Sequence, residues 1–489
     1  MRRISWAVFA IVVLAIPPTT AAAADAANGR VASNPEVQVA LTILDRWIET
    51  TAKQREQPGL SIGIVHDQEL IWSKGYGFAD IGGKVPATPS TVYRIASISK
   101  TFTATAIMQL RDAGKLRLDD PVKQYIDWFL IRAASPDAPT VTIRHLLTHT
   151  SGLPRETEGV NWSDLRFPDR QSMAKNLRSQ EPVFAPETEW KYSNLALSIA
   201  GEIVGAVSKV GWAEYVQKNI LDPLGMNATR PLPTPDTPGL AIGYGRRVPG
   251  KARDIEPFVD IHAENPAGAL ASTVEDLGKY ISLQFRDGVA GGKQVLKGST
   301  LREMHRVQWL RSDWQSGWGI GFSLRRVGDH VRVGHGGSLP GHRTLIEFSP
   351  ADKLGIIVLT NANDGDPLRY VNQAFTMLTT AVRKAAAPPT SPTSPATTRN
   401  EWRRYVGAYE WKHERIEILL LNGVLTMISP EAENPWEGRL ILEPVGEHRF
   451  RLKPAGPTSG PIGEVLTFDV DPSGNVTKVG TPNSYWLRK

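Results

Sequence analysis

Three short stretches carry side chains that could do chemistry together. The first is Ser97-Ile98-Ser99-Lys100. A spacing of three puts the Ser97 hydroxyl and the Lys100 amine on one helix face, a turn apart. A hydroxyl at a helix start with an amine beside it is a nucleophile with its base. The helix end adds oriented N–H groups and partial positive charge where an oxyanion would form. Desolvation would lower the lysine pKa and free its lone pair to take the serine proton. Alone, the pattern is weak, because a capped helix with a surface lysine also satisfies it. The second stretch is Trp190-Lys191-Tyr192-Ser193-Asn194, at a helix start. Tyr192 can act as base or proton shuttle, and Asn194 can orient the amide of an acyl group. A core tyrosine and a helix-capping asparagine are the competing readings. The third stretch, Val333-Gly334-His335-Gly336-Gly337-Ser338, opens a strand. Its glycines let a substrate lie against the strand edge, and the Ser338 N–H could complete an oxyanion hole with that of Ser97. The competing reading for His335 is a satisfied turn histidine.

These groups need a scaffold, and the hydrophobic pattern supplies one. Tyr93 to Ile95 reads as an extended lead-in to a buried helix carrying Phe102, Ala106, Ile107 and Leu110, with Gly114 as its stop. Asn34-Pro35 starts an amphipathic helix bearing Val37, Leu41, Leu44 and Ile48. Leu60 to Val65 and Leu70 to Lys74 flank a turn and predict a hairpin. Helices are expected over Thr142 to Thr148, Asn194 to Val204, Trp212 to Leu221, and from a Ser272 cap to Phe285. Strands are expected over Trp318 to Leu324, Val331 to Val333, Arg343 to Phe348 and Gly355 to Thr360, then a closing helix from Leu368 to Val382. Strands at both ends with helices between them predict a mixed α/β fold. One antiparallel sheet is completed by both ends of the region, with a helical lobe inserted in the middle.

Four segments are expected. Residues 1–24 read as a secretory leader: Met1-Arg2-Arg3, an apolar run from Ile4 to Ile16, and a small-residue tail ending Ala22-Ala23-Ala24. Residues 25–384 hold the sheet and helices. Residues 385–400 are rich in Ala, Pro, Thr and Ser and read as a semi-extended linker. Residues 401–489 turn to short strands around Asn422-Gly423 and Asp471 to Asn475 and predict a small antiparallel β domain. Trp402, Tyr405, Tyr409, Trp411 and Trp436 are expected to fill its core. A chain cut near Lys384 is expected to fold without it.

The chain has 489 residues, 41% hydrophobic and 22% charged, with no cysteine. That composition suits an ordinary globular protein and excludes a disulfide framework, a thiolate metal site and a cysteine nucleophile. Export without disulfides fits a periplasmic or secreted protein. The net charge of +6 comes from 56 basic residues scattered among 50 acidic ones. No basic stripe interleaves with aromatics, so nucleic-acid binding has no support, while an anionic cell-envelope surface remains a possible contact.

In order, Ser97-Ile-Ser-Lys100, Tyr192-Ser-Asn194 and His335-Gly-Gly337 resemble the motifs of the β-lactamase-like serine hydrolases: class C β-lactamases, penicillin-binding DD-peptidases, D-aminopeptidases and related esterases. Pro58-Gly-Leu-Ser-Ile62, His145-Leu-Leu-Thr-His-Thr-Ser-Gly-Leu-Pro154, Asp222-Pro-Leu-Gly-Met226 and Gly334 to Gly341 resemble its supporting segments. The resemblance covers roughly Asn34 to Val382. The β domain resembles the lipocalin-like barrels of some members. The resemblance implies Ser97 as acylated nucleophile, Lys100 as its base and Tyr192 as proton shuttle. Asn194, His335, Gly337 and Ser338 would bind substrate in a cleft between sheet and lobe. It implies no metal or organic cofactor. The implied substrates are small esters, amides or D-amino-acid peptides. The expected activity is ester or amide hydrolysis through an acyl-enzyme. A DD-carboxypeptidase or D-aminopeptidase, a weak class C-type β-lactamase and a slowly acylating sensor are the alternatives. Two departures stand out. His335 replaces the lysine of a K-T-G motif, which argues against efficient β-lactam hydrolysis. Pro186-Glu187-Thr188 stands where Pro-Gly-Thr is frequent. Residues 155–186, expected to shape the pocket, hold no readable motif. Trp162, Trp190, Trp309, Trp314 and Trp318 could line a cleft, and the favoured reading of each is a core side chain.

Overall fold

A computed structural model describes residues 31–287, 293–328, 330–387, 400–455 and 462–489. The expected leader and most of the linker therefore lie outside the described residues. Helix α1 (Pro35–Gln54) begins as its sequence dictates: Asn34 Oδ1 accepts from the N–H groups of Glu36 and Val37 at 2.9 and 3.3 Å, and Pro35 needs no acceptor. A nine-stranded antiparallel sheet follows. It comprises β1 (Gly59–His66), β2 (Glu69–Asp80), β3 (Val85–Pro86), β4 (Trp309–Leu310), β5 (Ser316–Trp318), β6 (Ser323–Val327), β7 (His330–Leu339), β8 (His342–Ser349) and β9 (Leu354–Thr360). The spatial order is β3-β2-β1-β9-β8-β7-β6-β5-β4. Strand β1 from the start of the region pairs with β9 from its end, Leu60 opposite Thr360 and His66 opposite Leu354.

Both faces of the sheet are covered. Alternation sends Leu60, Ile62, Ile64, Ile356 and Val358 to one face, where α1 and the closing helix α6 (Pro367–Ala386) pack on them. On the other face lie α2 (Ser99–Asp112), α3 (Ile143–Thr148), α4 (Asn194–Ser208) and α5 (Val274–Gln284), in a larger core with Ile346, Phe348, Ile357 and Leu359. Three details differ from expectation. Thr273, not Ser272, caps α5, because its hydroxyl is the one that accepts from Asp276 N, at 3.1 Å. The run from Trp318 to Leu324 is not one strand: a turn at Gly319–Phe322 separates β5 from β6, and Gly319 N bonds Phe322 O. Strand β7 continues through His335 to Leu339, so His335 lies inside the strand and does not open it.

The last part of the chain closes into an eight-stranded antiparallel barrel. Its strands are β10 (Gly407–Trp411), β11 (Glu414–Leu421), β12 (Val424–Ile428), β13 (Leu440–Gly446), β14 (Arg449–Pro454), β15 (Val465–Val470), β16 (Val476–Thr481) and β17 (Ser484–Arg488). Tyr405, Tyr409, Phe450 and Phe468 fill it, with Trp402 against them. Trp411 is instead exposed, with the Lys412 amine over its ring. Trp436 packs outside the barrel core. With Leu419, Leu421 and Ile428 it joins the core formed by α1, α6 and the sheet. Arg46 of α1 faces Glu417 at 3.5 Å, and Gln373 of α6 donates to Asn434 at 3.2 Å. A chain cut near Lys384 would expose this apolar seam. It should bind a hydrophobic dye and melt at a lower temperature than the full chain, and equal melting temperatures would show that the seam contributes nothing.

His305, His335 and His342 are buried, and desolvation pushes each down to about 3. The unfolded chain takes up these protons near pH 6.5, while the folded chain stays neutral to about pH 3. Stability from these histidines is therefore present above pH 6.5 and lost as pH falls toward 3. Urea midpoints measured from pH 7 to 4 should fall steeply, and His305→Phe should flatten the fall.

Candidate active site

Ser97 is delivered by a sharp change of direction. Tyr93–Arg94 pairs with Ala271–Ser272, and then Ala96 adopts φ +49°, a left-handed conformation that costs a non-glycine residue on the order of 1 kcal/mol. One 3₁₀ turn, Ala96–Ile98, follows, and α2 begins only at Ser99. Ser97 thus sits in that turn just ahead of α2, with Lys100 one turn on. Lys100 Nζ lies 3.0 Å from Ser97 Oγ and donates to the Ala267 carbonyl at 2.7 Å. The amine is 1% exposed as a residue, and burial pushes it down to about 7, against the raising influence of Glu264 and Glu156. Burial thus favours the neutral amine, the form able to accept a proton.

Tyr192 stands over this pair. Its ring lies 5.0 Å from Lys100 Nζ, and its phenol is close enough to the Ser97 hydroxyl to be influenced by it. Burial raises the phenol well above the ordinary tyrosine value, so it stays protonated and serves as a donor, not as the resting base. His149 packs against the ring, with centroids 4.4 Å apart and planes tilted by 32°. His149 is the left-handed C-cap of α3, and its Nδ1 accepts from Ser193 N at 3.2 Å. Burial beside Lys100 keeps its imidazole neutral. Ser193 caps α4 by accepting from Ala196 N at 3.0 Å, which frees the Asn194 amide from the capping role. Glu156 takes that amide instead: Asn194 Nδ2 donates to both Glu156 oxygens at 2.9 Å.

Strand β7 forms the facing wall. Its pairing with β6 ends at Ser323–Gly334, leaving residues 335–339 without a neighbour on that edge. Ser323 Oγ donates to the Gly334 carbonyl at 2.7 Å, so that carbonyl points toward the edge. Alternate residues of a strand direct their N–H and C=O the same way, which turns Gly336 and Ser338 to the same open edge. His335 Nδ1 lies 2.6 Å from the Gly336 carbonyl. A carbonyl only accepts, so Nδ1 carries the proton, and Nε2 of the neutral ring is an acceptor. The edge then presents the Ser338 N–H. Gly337 has a different reason to be glycine: a Cβ there would lie 2.1 Å from the Ile95 carbonyl and 2.3 Å from Thr344 Oγ1. It lets β7 pack against the turn that carries Ser97. Gly336 has ordinary room for a Cβ.

The cleft between these walls encloses about 1240 Å³. Ser97, Tyr192, Asn194, His335, Gly337 and Ser338 all line it, and Lys100 lies behind Ser97. Trp162, Trp190 and Trp318 line it too; Trp318 is nonetheless buried, as expected of a core side chain, whereas Trp190 is only part-buried, Trp162 is 38% exposed and Trp314 is 73% exposed, so these three are not core side chains. The stretch from 155 to 186 contributes Arg155, Trp162, Ser163 and Leu165. His149, Glu156 and Glu264 escaped the sequence reading. His149 lies inside a noted segment, but Glu156 is 38 residues from the amide it fixes. The Glu187 departure has a structural correlate. Its φ is +65°, where glycine is at ease, and its carboxylate lies 3.0 Å from His145 Nε2.

A serine hydroxyl, a buried amine and a phenol thus lie together between an antiparallel sheet and a helical lobe, in a β-lactamase-like fold. The chain belongs to the Beta-lactamase family, whose model matches residues 44–380. Among curated proteins it is similar to Protein flp of Staphylococcus aureus (strain N315), 29% identical over 328 residues, 65% of this chain and 63% of that protein. The match thus spans under two thirds of that relative's length. Among solved structures it is similar to the octameric penicillin-binding protein homologue from Pyrococcus abyssi, with a TM-score of 0.61 at 24% identity, covering 92% of this chain and 100% of that one. The Beta-lactamase/D-alanine Carboxypeptidase from Yersinia pestis gives 0.57 at 23%, covering 71% and 97%. These two likenesses are of fold.

Proposed function

We propose that the protein is an exported serine hydrolase that cleaves an ester or amide bond through an acyl-enzyme on Ser97. The observation that carries this reading is the 3.0 Å contact between Lys100 Nζ and Ser97 Oγ in a setting that keeps much of the amine neutral. Lys100 takes the Ser97 proton as Oγ attacks the substrate carbonyl. The oxyanion forms against the N–H groups of Ser97 and Ser338. The Tyr192 phenol gives its proton to the leaving group and recovers one from Lys100. Water then attacks the ester, its proton passing back through the same groups, and Ser97 is released. The Yersinia pestis neighbour is by name a β-lactamase and D-alanine carboxypeptidase, both hydrolytic activities, which supports this class of chemistry. The basic, apolar and small-residue order of residues 1–24 supports export.

A fluorophosphonate should place a single adduct on the Ser97 peptide. Ser97→Ala should abolish both labelling and turnover of p-nitrophenyl esters with no loss of folded structure, since Lys100 keeps the Ala267 carbonyl as partner. An adduct on another residue, or undiminished turnover in the variant, overturns the assignment.

A further inference from the structure

The side of the cleft formed by Asn194 and its neighbours is rich in acceptors. Glu156 accepts from Asn194 Nδ2 through both carboxylate oxygens. A carboxylate has no hydrogen to give, so the amide orientation is fixed: Nδ2 is turned to Glu156 and Oδ1 away from it. Asn194 is 7% exposed and lines the cleft, and no protein donor among the described residues reaches its Oδ1. A substrate therefore meets a carbonyl oxygen at Asn194, where a free amide would have offered an N–H.

Glu264 stands on the same side, 1% exposed and lining the cleft, on the short turn that also supplies the Ala267 carbonyl to Lys100. Its carboxyl lies beside that of Glu156. Its other protein contact is a 3.5 Å approach from Thr157 N. The cations nearby are already engaged. Arg155 donates to Glu156 Oε1 at 3.1 Å with most of its side chain in solvent, and the Lys100 amine serves Ser97 and Ala267. Trp162 Nε1 also donates to Glu156 Oε1, at 3.1 Å. Arg155 thus offsets Glu156, whereas among the described residues no cation is hydrogen-bonded to Glu264, and Lys100 acts on it only through space. Burial and the neighbouring Glu156 carboxylate raise the Glu264 carboxyl well above the ordinary range, so an added cation would favour its charged form. On β7, His335 Nε2 is a further acceptor without a donor among the described residues.

We propose that Asn194 Oδ1 and the Glu156–Glu264 pair form a subsite for a primary ammonium group, so that the substrate's acyl part is an aminoacyl group with its amine free. The ammonium donates to Asn194 Oδ1 and to Glu264, which releases its proton to solvent and becomes the counter-ion. This specificity rests on the acyl-enzyme reading above, with Asn194 placed on the acyl side of Ser97. A substrate whose amine is acylated loses the charge and two of the three donors, and it leaves Glu264 neutral.

Two measurements test it. Calorimetry with D- and L-alaninamide and their N-acetyl forms needs no turnover. The free amine of at least one enantiomer should bind about tenfold tighter or better, the increment of one charge-assisted contact. Binding should release protons, seen as a dependence of the heat on buffer ionisation. The kcat/KM ratio of alanine p-nitroanilide to N-acetylalanine p-nitroanilide should favour the free amine by a similar factor. Glu264→Gln and Glu156→Gln should each bring that ratio toward one. Equal or tighter binding of both acetylated amides overturns the subsite, as does a ratio that the variants leave unchanged. Failure of fluorophosphonate to label Ser97 overturns the acyl-enzyme reading instead, and the calorimetry then still decides the subsite.

Discussion

Lys100→Met should lower kcat/KM on p-nitrophenyl esters by roughly a thousandfold, within the range general-base catalysis supplies. Methionine nearly matches the lysine stem, and it leaves no buried charge. The structural cost is the unpaired Ala267 carbonyl, on the order of 1–3 kcal/mol, which a domain of this size tolerates. The pH profile carries the sharper test. On the proposed mechanism the working form of Lys100 is the neutral amine, so wild-type kcat/KM should rise with pH through an inflection at about 7 and fall away below it. The Tyr192 phenol stays protonated across that range, so the rise should meet no matching descent near neutrality. In the methionine variant the residual rate should lose the inflection. An inflection that survives at 7 assigns the base to another group.

His335→Lys should move preference toward substrates that carry a carboxylate. The wild-type imidazole is neutral: burial and the nearby Lys100 push it down to about 3, and its proton sits on Nδ1 facing the Gly336 carbonyl. It offers no cation, so neutral esters and amides should be accepted and cephalosporins turned over poorly. A lysine there adds a fixed charge. On matched neutral and carboxylate-bearing esters, the ratio of kcat/KM should shift toward the carboxylate by about tenfold or more, the worth of one charge-assisted contact. The same charge should lower the Lys100 pKa further and displace the pH inflection downward, a second readout that loss of fold would not mimic. If the wild type already favours the carboxylate by more than a hundredfold (~2.7 kcal/mol), then Arg311 or Arg343, which also line the cleft, recognises it.

Much of the site is legible in sequence because its parts are local. Ser97 and Lys100 share a turn, Tyr192 and Asn194 share a helix start, and His335 to Ser338 share a strand, so spacing alone orders them. The sheet is legible for the same reason: Leu60 to Val65 of β1 and Leu354 to Leu359 of β9 are almost wholly apolar runs. What stays hidden is non-local. Nothing near Asn194 announces that Glu156 holds its amide, and no periodicity places Glu264 beside Lys100. The tryptophans mislead because apolar area reads the same in a core as on a cleft wall. The end of β7 misleads in the other direction, since glycines read as a strand start whereas Gly337 is there for close packing against Ile95. Tyr405 and Tyr409 behave as barrel core and Trp436 does not, because the barrel buries a second surface that its own pattern does not reveal.

The pairing of β1 with β9 also sets a clock. Leu60 meets Thr360 across three hundred residues of intervening chain. At about 5–20 residues per second, a ribosome needs roughly 15–60 s between making the one and the other. For that interval β1 has one hairpin partner, β2, and no sheet centre, and long-range pairing of this kind is slow even once the chain is complete. The nascent protein therefore spends its synthesis without a closed core. In a cytoplasm that is an aggregation hazard. On the proposal of export it would be an advantage, because a chain that has to thread a narrow translocation pore must reach it before the sheet closes.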